Sequence, residues 1–200
     1  MKRDEVRNKL INSAILVIAR DGLDKATTKQ ISHEISINEA YIYRCFADKE
    51  QLFAQSFAML DDELVDVVDK GLAFMYDASL DFETRCRRYF FMTWDFLLGN
   101  RDKCVTFVRY YYSPYFLKHS AQDHLQRYKP IISKFKPAFK AEADVWMILN
   151  FILNVLLDFA VKVHNDQMSK EDDYAEHVFR VIYASVKQYF ENSEGESVGA

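Results

Sequence analysis

The chain has 200 residues, room for one compact body or for a small domain fused to a larger one. Five glycines and three prolines are far below the roughly 12% usual for the two together, and sheet-building hairpins consume such residues. A β-sandwich or barrel is thereby excluded and an all-α fold expected, while the net charge of −4 speaks for solubility and names no partner.

Val6, Leu10, Ile11, Ala14, Ile15 and Ile18 share one helical stripe, which predicts a first helix over Arg3–Asp21 with Gly22 as its left-handed stop. Thr27 with Gln30 is a capping-box pattern opening a short second helix to about Ile35. Ser36-Ile37-Asn38 interrupts the chain, and Asn38 suits the N-cap of a third short helix from Glu39 to Phe46. Asp48 with Gln51 opens a fourth helix, carrying Leu52, Phe53, Phe57, Leu60 and Leu64 and expected to stop near Gly71. Further helices are expected at about 81–98, 101–118, 119–134, 140–165 and 170–192, about nine in all. Gly99-Asn100, Pro114, Pro130, Pro137 and Asn165-Asp166 are the breaks or kinks, and Ser169 with Asp172 caps the last helix. The pattern divides into an N-terminal unit of about residues 1–47, a helical body of about 48–193 and a tail, 194–200, with too little apolar surface to order itself.

Two short helices joined by a three-residue turn behind a supporting helix have the outline of a helix-turn-helix. Ile42 and Phe46, spaced i and i+4, anchor the second of them over Ile31, Ile35 and Ile37. The opposite face offers Glu39, Ala40, Tyr41, Arg44 and, further round, Tyr43. Tyrosines and an arginine there provide donors for phosphate and apolar contact for thymine methyls; a plainly solvated helix face is the competing reading. Thr27, Thr28, Lys29 and Lys49 gather near helix starts, where free N–H groups favour phosphate oxygens. Lys2, Arg3 and Arg7 offer further contacts from the N-terminal arm, with ordinary solvated charge as the alternative. Residues 1–50 hold nine Lys and Arg against eight Asp and Glu, which leaves −5 for the remainder, an asymmetry of the right sign but small.

The run from Ile31 to Leu52, with Asn38-Glu39-Ala40-Tyr41-Ile42-Tyr43-Arg44-Cys45-Phe46-Ala47-Asp48-Lys49 at its centre, resembles the DNA-binding signature of TetR-family transcriptional regulators. Ala14, Gly22 and Ala26-Thr27-Thr28 match that family's first helix and the start of its second, so the resemblance spans about residues 6–53. It implies an all-helical homodimer with an N-terminal helix-turn-helix and a C-terminal ligand-binding and dimerisation body. The usual activity it implies is repression of a palindromic operator in double-stranded DNA, relieved by a small-molecule effector. By position, Thr28 and Lys49 would contact phosphate, Tyr43 would be the family's helix-three tyrosine on the DNA backbone, and Tyr41 and Arg44 would reach bases or backbone. Thr27, Lys29, Asn38, Glu39 and Ala40 complete the candidate surface. Ser36 stands where the family usually has glycine, Cys45 where tyrosine or histidine is common, and Tyr41 where a small residue is common. The alternative is a helical small-molecule binding or sequestering module without DNA-binding activity.

In the body, the helix expected at about Lys140–Asn165 is so apolar that it should be buried on most sides, with Asn150, Asn154 and Asp158 forming one polar stripe. That stripe needs a ligand cavity, a subunit interface or solvent, because an unsatisfied buried polar group costs about 1–3 kcal/mol. Aromatic residues crowd the preceding helices, and helical cavities built of aromatics with a few hydroxyls hold flat or greasy ligands, although ordinary core packing uses the same residues. The ligand candidates are Trp94, Tyr111, Tyr115, Asn154 and Asp158. The stripes Trp146, Leu149, Leu153, Leu156, Phe159 and Val178, Ile182, Tyr183, Val186, Tyr189, Phe190 suit a two-fold four-helix dimer interface, or burial within one subunit.

Cys45, Cys86 and Cys104 read as reduced thiols of a cytoplasmic protein. The charged N-terminus lacks the apolar run of a signal peptide, and Asp158 argues against a membrane span at Val145–Val163. The five histidines have no metal-ligand spacing, and neither a phosphate loop nor a nucleophile motif is present, so no enzyme, metal or cofactor is expected.

Overall fold

The structure is a computed structural model and describes residues 3–169 and 172–191. Its ten α-helices are α1 (Arg3–Asp21), α2 (Thr28–Glu34), α3 (Ala40–Cys45), α4 (Lys49–Met75), α5 (Phe82–Gly99), α6 (Arg101–Tyr111), α7 (Pro114–His119), α8 (Ala121–Phe135), α9 (Val145–His164) and α10 (Asp172–Val186). The chain is all-helical as expected. The single helix predicted across 101–118 is two, because the residue before a proline avoids the helical region: Ser113 is extended and caps α7, with Pro114 in its first turn. Pro130, by contrast, sits inside α8 without ending it. The predicted tail, 194–200, lies outside the described residues.

Two compact units divide the chain, one of residues 1–64 with 100–126 and one of 65–99 with 127–200. In the first, the α1 stripe from Val6 to Ile18 is buried as predicted, and Gly22 takes φ +88° while its N–H donates to the Ile18 carbonyl at 2.9 Å. The end of α1 has a second cap that local sequence does not announce. Arg109 of α6 donates to the carbonyls of Ile18 at 2.5 Å and Ala19 at 3.0 Å, and Thr106 donates to Ile15 at 2.8 Å. A guanidinium there adds a donor to carbonyls of the last turn and opposes the negative end of the helix dipole. Around Phe57 lie Phe107, Tyr110 and Phe116, with ring centroids 4.9, 4.8 and 5.5 Å away. Within this nest the buried His124 Nδ1 meets the fully buried Asp61 carboxylate at 2.9 and 3.0 Å.

In the second unit α5 packs against α9 and α10. Here Gly71 corrects the expectation: it does not stop α4, which runs on to Met75. A Cβ at Gly71 would lie 2.4 Å from the Tyr89 ring and 2.7 Å from the Met92 methyl, so the glycine permits close approach and ends nothing. Tyr89 has little room to yield, since its hydroxyl donates to the Val68 carbonyl at 3.4 Å and its ring meets Phe135 edge-on at 5.6 Å. Gly71→Ala is therefore expected to destabilise the chain by about 1–3 kcal/mol, despite alanine's better helix propensity. A urea midpoint equal to or above that of the natural chain would contradict this packing.

The helix α9 departs from expectation too. It starts at Val145, where the Asp144 carboxylate accepts the Met147 N–H at 3.0 Å. Only 28% of its most apolar window is buried, although by length and composition the helix could cross a membrane. Met147 and Phe151 are 50% and 41% exposed. Among the described residues no element covers that side, so the sequence measured its greasiness correctly but not its cover.

Candidate DNA-binding surface and apolar cavity

The helix-turn-helix is built by caps that the sequence announces. Gln30 N–H donates to Thr27 Oγ1 at 3.2 Å while Thr27 N–H donates to Gln30 Oε1 at 3.0 Å, a complete capping box. Asp48 and Gln51 repeat the device at α4, with Gln51 N–H to Asp48 Oδ1 and Ala47 N–H to Gln51 Oε1 both at 2.7 Å. Asn38 Oδ1 accepts the Ala40 N–H at 2.8 Å and so fixes the start of α3. Between α2 and α3, Ser36 has φ +54°, the left-handed region that glycine enters most easily. The serine there bears backbone strain that a glycine would not. Ser36→Val, which puts a β-branched residue there, is expected to cost about 1–2 kcal/mol. A chemical-denaturation midpoint indistinguishable from that of the natural chain would count against the strained turn.

From this frame α3 presents two faces. Ile42 and Phe46 are buried and hold it down. Tyr41 and Tyr43 are 39% and 59% exposed, and Arg44 and Ala40 are exposed beside them. The Arg44 guanidinium lies over the Tyr41 ring at 4.9 Å, and its main-chain carbonyl accepts from Arg3 at 3.1 Å. Around α3, Thr27, Lys29 and Asn38 are exposed, and Thr28, Glu39 and Lys49 are half-buried. The Thr28 hydroxyl donates to the Glu39 carboxylate, and Lys49 donates to the Ala26 carbonyl at 3.3 Å with its ammonium 5.4 Å above the Phe53 ring. Arg7 is engaged internally, donating to Gln55 at 2.5 Å and lying over Phe46; Lys2 lies outside the described residues. Of the ten residues expected at the DNA surface, Ala40, Tyr41, Tyr43 and Arg44 stand exposed on α3, while Thr28 is tied to Glu39 and Lys49 to Ala26.

The five ligand candidates do not gather. Trp94 is buried and stacks on Phe90 at 5.8 Å. Tyr111 stacks on Phe107 and lies 5.5 Å from His124, and Tyr115 meets Phe53 edge-on. Asn154 is half-buried, and Asp158 is exposed and accepts from Lys162 at 2.6 Å. A cavity of about 80 Å³ lies instead within the second unit, several times the roughly 10–15 Å³ one water needs. Its walls include Val68 and Met75 of α4, Cys86, Tyr89 and Thr93 of α5, Ile131 of α8, Leu153 of α9 and Phe179 of α10; none of the five candidates lines it. Sequence reasoning missed these residues because they come from five separate helices. Leu153 stood on the stripe read as a dimer interface or as burial within one subunit, and Met75 continues the α4 stripe beyond Gly71.

Comparison with known proteins agrees with this geometry. Residues 10–55 match the family model of bacterial regulatory proteins, tetR family. The chain is 31% identical over 88 residues to the nicotine-responsive transcriptional repressor HdnoR of Paenarthrobacter nicotinovorans, an alignment covering 44% of this chain and 43% of that protein. The match therefore spans less than half of that relative's length. A TetR family transcription regulator from Marinobacter aquaeolei VT8 shares the fold with a TM-score of 0.74 at 14% identity, covering 91% of this chain and 95% of the other. A putative regulator of the same family from Shewanella sp. PV-4 gives 0.71 at 15% identity, covering 92% and 98%. Residues 10–55 thus carry a helix-turn-helix that matches the tetR family model, and the chain shares its fold with solved TetR family regulators.

Proposed function

We propose that the chain is a dimeric transcriptional repressor that binds a palindromic operator and releases it when a small hydrophobic or aromatic effector enters the second unit. The observation that carries this reading is α3 itself: Tyr41, Tyr43 and Arg44 stand outward on a helix whose Ile42 and Phe46 are pinned inside. Arginine paired with a guanine edge reads sequence, while tyrosine hydroxyls and lysines on phosphate set register. Residues 1–47 act as the DNA-binding head and 48–193 as the effector and dimer body. The uncovered side of α9, with Met147 and Phe151 exposed, supports burial against a second copy, as a two-fold operator requires.

The test is a gel shift of the full chain against its own upstream region across a salt series. One fragment should be preferred over bulk DNA, with affinity falling steeply as salt rises because bound lysines and arginines displace counterions. Equal binding to all fragments, or none, would leave the sequestering module as the better reading.

A further inference from the structure

Seventeen of the nineteen residues lining the cavity lie on helices; Phe139 and Phe190 do not. Each is the extended residue ending a one-turn 3-10 helix, Phe139 after Lys136–Ala138 and Phe190 after Lys187–Tyr189. They face each other as an isolated antiparallel bridge. Lys140 N–H donates to the Tyr189 carbonyl at 2.8 Å, and Glu191 N–H donates to the Ala138 carbonyl at 3.1 Å. Bonds on both sides make this the non-hydrogen-bonded kind of pair, in which opposed side chains come closest. The two rings stack at 4.2 Å, and Phe82 backs Phe190 at 4.9 Å. The remaining lining residues sit on helices; this wall is joined across by two main-chain bonds and a ring stack, beside the one-turn bonds of Phe139 to Lys136 and Phe190 to Lys187. Local opening begins where the fewest bonds must break, and unpairing these few residues would withdraw both rings together.

The chemistry of the walls selects what could enter. Among the described residues no Lys, Arg, His, Asp or Glu lines the cavity. The Thr93 hydroxyl donates to the Tyr89 carbonyl at 3.2 Å and the Tyr89 hydroxyl to Val68, so both are engaged within the protein. Burial pushes the Cys86 thiol up to about 12, so it remains a neutral S–H at physiological pH. A charged ligand group would meet no counter-charge here, a steeply unfavourable arrangement.

We propose that the Phe139–Phe190 clasp is the door of this cavity and that the molecule it admits is uncharged and hydrophobic, without carboxylate, phosphate or ammonium. This rests on reading the cavity as the effector site. Leu149, Ile152 and Leu153 of α9 are half-buried wall residues, on the helix that the second copy covers in that reading, which leaves the clasp as the way in.

Stopped-flow binding of N-phenyl-1-naphthylamine, an uncharged fluorescent probe, to the full chain tests both parts. Phe190→Ala should raise association and dissociation rates together, at least about tenfold, with Kd moving much less, as expected for a gate. Ile131→Ala, a wall change on α8, should alter dissociation alone. The pair Phe139→Cys with Phe190→Cys spans the Cα separation a disulfide requires; oxidised, it should slow both rates at least about tenfold, and reductant should restore them. Dodecanol should displace the probe and dodecanoate should not. Unchanged association in Phe190→Ala or in the oxidised pair, or failure of that disulfide to form, overturns the door. No probe binding by the natural chain, or equal displacement by the two C12 compounds, overturns the cavity and its ligand class. Operator affinity is measured separately, so the DNA-binding reading stands or falls on its own.

Discussion

Asp61→Ala is expected to lower the unfolding free energy by about 1–3 kcal/mol, the loss typical when a buried hydrogen-bonding group loses its partner. Asp61 and His124 are buried, and the imidazole Nδ1 lies 2.9 and 3.0 Å from the two carboxylate oxygens. Phe57, Tyr111 and Phe116 also surround the ring, with centroids 6.0, 5.5 and 5.5 Å away. His124→Ala should also destabilise because it removes this bond to the carboxylate, while Asp61→Asn, which keeps an acceptor, should cost less. Urea midpoints order the three variants. An Asp61→Ala midpoint close to that of the natural chain would mean the pair contributes nothing to the first unit.

Arg44→Ala is expected to weaken operator binding by about 1–3 kcal/mol, roughly fivefold to 150-fold in Kd, and to relax preference at one base pair. The guanidinium is exposed and carried on the Tyr41 ring, so Tyr41→Ala should reproduce part of the loss by freeing Arg44 to wander. Tyr43→Ala should weaken all sequences alike, as loss of a backbone contact does. Lys49→Ala should also lower affinity without changing the dimer mass, though it removes the bond to Ala26 as well. Fluorescence anisotropy against the operator and single-base variants checks these outcomes. A uniform loss in Arg44→Ala, with base preference intact, would place Arg44 on phosphate.

What the sequence made legible was local. Gly22 after Asp21, Thr27 with Gln30, and Asp48 with Gln51 each concern residues within one turn, and each does in space what its spacing predicts. Ile42 and Phe46 were legible as anchors for the same reason: on so short a helix, burying one face leaves Tyr41, Tyr43 and Arg44 little choice but outward. The cavity was not legible, because its wall is assembled from α4, α5, α8, α9, α10 and two phenylalanines outside helices. Trp94 lies one turn from the lining residue Phe90 and stacks on it, so aromatic density pointed to the right helix and the wrong turn. The stripe Asn150, Asn154, Asp158 was correctly periodic, but periodicity has no view of what lies opposite; Asp158 faces solvent beside Lys162. Asp61 was recoverable in principle, being four residues after Phe57 on the buried stripe, yet nothing local named His124 as its partner.

On the proposed reading, two copies of α3 enter the DNA together. Hydroxyl-radical footprinting of the operator with the full chain tests this most directly. The account predicts two protected patches related by a two-fold axis and about one helical turn, or a whole number of turns, apart. A single patch, or protection that follows no symmetry, would contradict it.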